Sequence, residues 1–243
     1  MRVIRAFVDR PLAVGGSVVL PDDAAAHLVR VLRLREGDGC VLFNGDGCDY
    51  AATLEAAGKR EVRVRIDACA AVDNESPLRI TLLQGIARGE KMDWILQKAA
   101  ELGVAAFVPV ASERSEVRLD AERADKRLAH WRSVVRSACE QSGRAVVPAV
   151  SAPQSLAAAL AALPTGARFL LDPVADAAIG TLQLQDGACV LAIGPEGGWS
   201  PRDREQLTSA GFAGLRLGPR ILRTETAGLA AIAALQAGFG DYR

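Results

Sequence analysis

Two short segments near the C-terminus concentrate the residue types that can hold and activate a small ligand. Ile193-Gly194-Pro195-Glu196-Gly197-Gly198-Trp199-Ser200 runs from an apolar stretch into a helix start. Leu217-Gly218-Pro219-Arg220-Ile221-Leu222-Arg223-Thr224-Glu225-Thr226 repeats the order of strand, Gly-Pro bend and helix, with Thr224 or Thr226 at the capping position. Glycine lets main chain approach a ligand closely, and a helix start offers unpaired N–H groups. Taken singly, each segment reads as an ordinary Gly-Pro turn. Together, with Glu196 beside one set of glycines and Arg220, Arg223 and Glu225 beside the other, they read as two walls of a cofactor cleft. Neither carries the G-x-x-x-x-G-K-[ST] or G-x-G-x-x-G spacing of a phosphate or dinucleotide cradle.

The elements that must position these loops follow from hydrophobic period. Leu78 to Leu83 reads as a strand, and Met92, Ile95, Leu96, Ala99 and Leu102 then recur at helical spacing, with Gly103 at the stop. Val104 to Val110 is a strand, and Trp131, Val134, Val135 and Ala138 mark the next helix, closed by Gly143. Ser151-Ala152-Pro153-Gln154 and Ser200-Pro201-Arg202-Asp203 both announce helices by a capping Ser and an early Pro. Strands are expected at Arg168 to Leu171, Cys189 to Ile193 and Leu215 to Leu217. Alternation of strand and helix implies an α/β layer on a mostly parallel sheet, with ligands beyond the carboxyl edge.

The first 72 residues follow another pattern. Glu61 to Asp67 alternates polar and apolar strictly, Asn44-Gly45-Asp46-Gly47 suits a hairpin turn, and Asp22 or Asp23 can cap a short helix through His27 to Leu32. A small β-rich, barrel-like domain over residues 1–72 is expected, then a polar linker at 73–77 ending in Pro77, then the α/β domain over 78–243.

Composition sets the bounds. Of 243 residues, 29 are basic and 29 acidic, so any basic surface is local. Half the residues are apolar and 24% charged, enough to fill hydrophobic cores and exclude a disordered tail. The longest late apolar run, Ala227 to Leu235, is half of the roughly 18 residues a membrane span needs, and Asp9 interrupts the N-terminal stretch where a signal sequence would be apolar. A cytoplasmic protein with no membrane association is expected. Cys40, Cys48, Cys69, Cys139 and Cys189 form no C-x-x-C pair and the only histidines are His27 and His130, which predicts no metal site and reduced, mostly buried thiols.

The two loops resemble the paired signatures of the small-subunit ribosomal RNA uridine-N3 methyltransferases, the RsmE family of the SPOUT superfamily. The likeness extends through Gln84 to Asp93, Gln97 to Gly103, Ser112 to Ser115 and Glu140 to Arg144, and His27 to Arg33 resembles the family's N-terminal module. Trp199 stands where a smaller apolar residue is expected. The resemblance implies an α/β SPOUT-type methyltransferase domain with a C-terminal trefoil knot, preceded by a small PUA-like β-barrel that binds RNA, and a homodimer. It implies S-adenosylmethionine bound by Leu170, Leu171, Ile193, Gly194, Pro195, Glu196, Gly197, Gly198, Leu217, Gly218, Ile221, Leu222, Arg223 and Thr224, largely through main chain. The implied reaction is attack of a uridine N3 in 16S ribosomal RNA, within the small subunit, on the sulfonium methyl group.

That chemistry needs a group to take the N3 proton and positive charge to steady the anion that forms. Glu196, Glu225 and Glu140 are the available acceptors; Arg223, Arg88 and Arg114 are the available cations. Structural roles compete: Glu225 can complement a helix dipole, and Arg223 can pair with Glu196. Lys98 and Glu101 read as a solvated pair. Phosphate contacts are expected from Arg2, Arg5, Arg30 and Arg33 in the N-terminal module and from Arg88 and Arg114, in a stretch (79–144) with 12 basic against 9 acidic residues. Trp94 and Trp131 read as core or dimer-interface residues. Two rival functions share the fold: methylation of another base or a ribose 2′-hydroxyl, and a non-catalytic ribosome assembly factor.

Overall fold

The structure is a computed structural model describing residues 3–58, 61–115, 121–184 and 187–242, side chains of 121–122 excepted. In chain order the elements are β1 (Arg5–Phe7), β2 (Ser17–Val19), α1 (Asp22–Ala25), β3 (Gly39–Phe43), β4 (Cys48–Ala57), β5 (Val62–Ala71), β6 (Arg79–Gly85), α2 (Glu90–Glu101), β7 (Ala106–Ala111) and α3 (Ala121–Ser142). There follow β8 (Ala149–Val150), β9 (Gln154–Ser155), α4 (Leu156–Ala161), β10 (Ala167–Leu171), β11 (Ala188–Ile193), α5 (Pro201–Ser209), β12 (Ala213–Leu215) and α6 (Thr224–Phe239). The chain forms two compact units, Met1–Glu75 with Arg136–Val147, and Ser76–Val135 with Pro148–Arg243. The cut expected at 73–77 therefore describes one crossing between units; the segment from Arg136 to Val147 also belongs with the N-terminal strands.

In that first unit the sheet order is β1-β3-β4-β5-β2, antiparallel except for β1 beside β3. The strict alternation of β5 buries Val62, Val64 and Ile66 and leaves Arg63, Arg65 and Asp67 outward. Gly45 and Gly47 hold φ of 95° and 89°, the left-handed conformations that the turn before β4 requires. α1 continues as a π-helical turn over Ala26–Val31 that buries Leu28. Neither Asp22 nor Asp23 caps α1; Pro21 occupies that position, and the Asp23 carboxylate accepts from the N–H of Ala24.

Arg5 corrects an expectation. Its side chain is buried, paired with Asp49, donates to the Cys139 carbonyl at 2.8 Å and lies over the Phe43 ring. It binds the unit together and is not available to a phosphate.

In the second unit all strand pairs are parallel, in the order β12-β10-β11-β6-β7-β8, with β9 also beside β7. From β6 the chain moves outward through β7 to β8, whereas from β11 it moves the other way, across β10 to β12. The carboxyl ends of β6 and β11 therefore flank a point where the direction of winding reverses. Buried Met92, Ile95, Leu96, Ala99 and Ala100 give α2 its core face, and Trp199, Leu207, Phe212, Leu170 and Val190 share one cluster of core side chains.

Local chemistry explains where elements begin. Ser200 and Asp203 form the expected reciprocal cap of α5, with Asp203 N donating to Ser200 Oγ at 3.0 Å and Ser200 N to the Asp203 carboxylate at 3.1 Å. The helix expected from Ser151 starts later: Gln154 and Ser155 first pair with Val110 and Ala111 of β7, and Ser155 then caps α4. Sheet pairing overrides the earlier signal. β12 ends at Leu215 rather than starting there. Trp131 is buried, but Trp94 is 63% exposed and is not core. Cys40, Cys139 and Cys189 are buried, whereas Cys48 is half-buried and Cys69 exposed. Among the described residues no His/Cys/Asp/Glu group suits a metal ion, and no helix is long and apolar enough to cross a membrane.

Candidate functional site

Beyond the carboxyl ends of β10, β11 and β12 lies a cleft of about 450 Å³. The first glycine segment supplies Ile193, Gly194, Pro195, Glu196 and Gly198 to its wall; the second supplies Leu217, Gly218, Ile221, Leu222, Arg223, Thr224 and Glu225; Leu171 closes the end of β10. Residues some thirty apart in sequence thus face one space. Leu170 and Gly197 are not on the wall: Leu170 is buried in the core cluster, and the Gly197 carbonyl accepts from Arg114 Nη1 at 3.0 Å. Lys91, Asp172, Pro173, Arg204, Leu215 and Ala227 line the cleft without having been singled out from sequence. Asp172-Pro173 directly after a buried strand was the available signal for two of them.

A short relay fixes the two segments together. Buried Gln84, near the end of β6, donates through Nε2 to the Thr224 hydroxyl at 3.2 Å and to the Gly85 carbonyl at 2.9 Å. The Thr224 hydroxyl in turn donates to the Gly194 carbonyl at 2.6 Å. Thr224 is therefore not the cap of α6; Arg223 occupies that position without a side-chain bond. Gly85 has to be glycine because a Cβ there would stand 2.5 Å from Pro195 Cδ and 2.7 Å from its nitrogen. Gly218, at φ 99°, makes the bend that turns the second segment back toward the first.

Charge on the wall falls into paired and unpaired groups. The Glu196 carboxylate accepts from the Arg88 N–H at 3.1 Å and from Lys91 Nζ at 3.2 Å, so the pair considered between Glu196 and Arg223 does not form. Burial alone would raise the Glu196 carboxyl. N–H groups of its own residue and of Arg88, with the Lys91 ammonium, outweigh burial and hold it below the usual carboxylate range. Asp172 is likewise held low: burial raises it, but a bond from Arg204 and the Val174 N–H prevail. The side chains of Arg220 and Arg223 are exposed and make no ion pair or hydrogen bond among the described residues. Two buried polar atoms on wall residues, Glu225 Oε2 and Trp199 Nε1, also lack partners among the described residues. An unmet carboxylate oxygen and an unmet indole N–H are groups a ligand can satisfy.

Residues 74–236 match the RNA methyltransferase domain family, and residues 20–67 match the RNA methyltransferase PUA domain. The chain is 32% identical over 218 residues to the ribosomal RNA small subunit methyltransferase E of Bacillus subtilis, covering 86% of this chain and 85% of that protein. Against the Mycobacterium tuberculosis protein of the same name it is 33% identical over 235 residues, 94% of this chain and 89% of the other. The chain belongs to the ribosomal RNA small subunit methyltransferase E family. The crystal structure of the Neisseria gonorrhoeae methyltransferase E bound to S-adenosyl methionine superposes with a TM-score of 0.94 at 45% identity, over 100% of both chains. A Legionella pneumophila methyltransferase in complex with bound cofactor SAM superposes at 0.96 and 37% identity, over 99% of this chain and 100% of that one. The fold is thus the α/β SPOUT-type methyltransferase fold preceded by a PUA-like domain.

In this family member the expected RNA contacts separate by burial. Arg30, Arg33, Arg88 and Arg114 are exposed, Arg5 is buried, and Arg2 lies outside the described residues. Glu140, weighed as a proton acceptor, belongs to the N-terminal unit, accepts from the Phe7 N–H at 3.0 Å and is raised chiefly by burial. It takes no part in the cleft wall.

Proposed function

We propose that this protein uses S-adenosylmethionine to methylate N3 of one uridine in 16S ribosomal RNA of the small subunit. The observation that carries the reading is the convergence of the two glycine segments on one cleft, in a chain related at 45% identity to a protein crystallised with that methyl donor. The cleft fits the donor. Its volume suits a ligand of that class, apolar side chains of Leu171, Ile193, Leu217 and Leu222 offer faces for a nucleobase, and the unmet N–H of Trp199 offers a donor. When bound, the cofactor supplies a methyl group on a sulfonium centre, open to in-line displacement.

The chain's own residues then divide the remaining work. Glu196 keeps the first loop in place through Lys91 and the Arg88 N–H; held low, it is a poor proton acceptor. Glu225, whose Oε2 is unmet at the cleft wall, takes the N3 proton. Arg223, whose guanidinium has no partner among the described residues, steadies the negative charge that spreads onto the imide oxygens. The remaining loop residues of the wall shape the cleft and its main-chain contacts, while Leu170 and Gly197 lie off the wall. In the same reading the chain is a homodimer and its C-terminal segment is knotted.

The test is methylation of small ribosomal subunits lacking the modification, followed by reverse transcription. N3 methylation blocks the pairing edge and stops copying at one uridine of 16S RNA. Methyl incorporation without such a stop would move the target to a ribose or another base; no incorporation and no calorimetric heat from the donor would leave an assembly factor.

A further inference from the structure

At 86% exposure, Ile221 presents a branched aliphatic side chain to solvent on the rim of the cleft. A single exposed aliphatic side chain needs no partner by itself; what sets this one apart is its place at the cleft mouth beside two exposed arginines. These surroundings identify the chemistry of a partner. Arg220 and Arg223 flank it, both exposed and both without an ion pair among the described residues, whereas the other cations of the wall, Lys91 and Arg204, are neutralised by Glu196 and Asp172. The free positive charge of the cleft mouth is therefore concentrated on either side of one aliphatic side chain. Val174, 82% exposed, offers the contrast: it follows Asp172 and Pro173, and has no basic neighbour in sequence.

A polyanion whose apolar faces can be separated meets this pattern, and RNA is such a polymer. The same four-residue chemistry recurs in the N-terminal unit as Arg30-Val31-Leu32-Arg33, where Val31 is 66% and Leu32 39% exposed between two exposed arginines. N3 lies on the edge that a uridine buries in a pair, so a base that reacts in the cleft has first to leave its stack. Aliphatic side chains that enter the gap left in a stack keep it open, and arginines beside them hold the phosphates.

Resting on the methyltransferase reading above, we propose that Ile221 is a wedge that enters the RNA stack as the target uridine turns into the cleft, with Arg220 gripping the phosphate beside it while Arg223 faces the turned-in base. Ile221 thereby sets which RNAs react, favouring structured ones whose target base is stacked.

The experiment compares Ile221→Ala and Ile221→Leu with the wild type on two substrates: unmodified small subunits, and a short single-stranded RNA spanning the uridine at which the wild type stops reverse transcription. A wedge is needed only where a stack must open. Ile221→Ala is expected to lose about ten-fold more rate on subunits than on the single strand, and Ile221→Leu to restore most of the difference. In an RNA hairpin of the same sequence with 2-aminopurine beside the uridine, wild-type binding raises fluorescence and Ile221→Ala blunts the rise. Equal losses on both substrates would place Ile221 in the donor cleft alone and overturn the wedge, as would no loss at all. A wild type that leaves subunits unmethylated would overturn the methyltransferase reading and this one with it; methylation by the wild type with equal losses in the variant overturns the wedge only.

Discussion

One hydroxyl, that of Thr224, accepts from Gln84 and donates to Gly194, and so joins the ends of β6, β11 and the start of α6. Thr224→Val keeps the shape and removes both bonds, leaving the Gly194 carbonyl and the Gln84 amide unmet. A loss of about 2 kcal/mol in denaturant unfolding is expected, with weaker donor binding, and Thr224→Ser should recover both. Recovery by valine but not serine would show that the methyl group, not the hydroxyl, matters. Glu196 makes a pH-dependent contribution of definite sign. Its carboxyl is held below its ordinary value in the folded protein, so the contribution is complete above the unfolded value and is lost as pH falls through the folded one. The stability gap between wild type and Glu196→Gln should stay level from neutral pH down to about pH 5 and shrink below it. A gap that closes between pH 7 and 5 would contradict that sign.

At the scale of elements, the cleft depends on how closely β6 and the loop after β11 approach. Gly85→Ala directs a Cβ at the main chain and ring of Pro195, rigid neighbours that have to shift. An unfolding cost of about 2 kcal/mol is expected together with loss of donor affinity, checked by denaturation and calorimetry. Full affinity in that variant would show that the loop tolerates displacement. This contact explains a limit of sequence reading. The capping pair Ser200 and Asp203 was legible because both bonds close within three residues. Gly85 was not, because the atom that forbids a side chain belongs to a residue 110 positions later. The start of α4 was misplaced for a related reason: a cap at Ser151 and a cap at Ser155 look alike until the pairing of β9 with β7 selects the second.

For the whole molecule, arginines of one type serve two purposes, and salt dependence separates them. Arg30 and Arg33 are exposed, and changing both to alanine should weaken RNA binding and lower the slope of log affinity against log salt by about 2, with little change in melting. Arg5 is buried against Asp49 and Phe43, so Arg5→Ala should cost about 3 kcal/mol of unfolding free energy and leave the slope intact. A salt slope that falls with Arg5→Ala and not with the double change would reverse the assignment.

The β-rich N-terminal region, the strand and helix alternation that follows it apart from the short strands β8 and β9, and the two glycine segments were determined by the sequence itself, because periodicity, capping and turn chemistry act over a few neighbouring residues. Only the tertiary structure decided which side chains meet. It placed β10 between β11 and β12, brought Lys91 to Glu196, took Arg5 into the interior and left the Arg223 guanidinium without a partner among the described residues. Pairing and burial depend on distances between segments far apart in the chain, and no local pattern of charge or polarity carries that information.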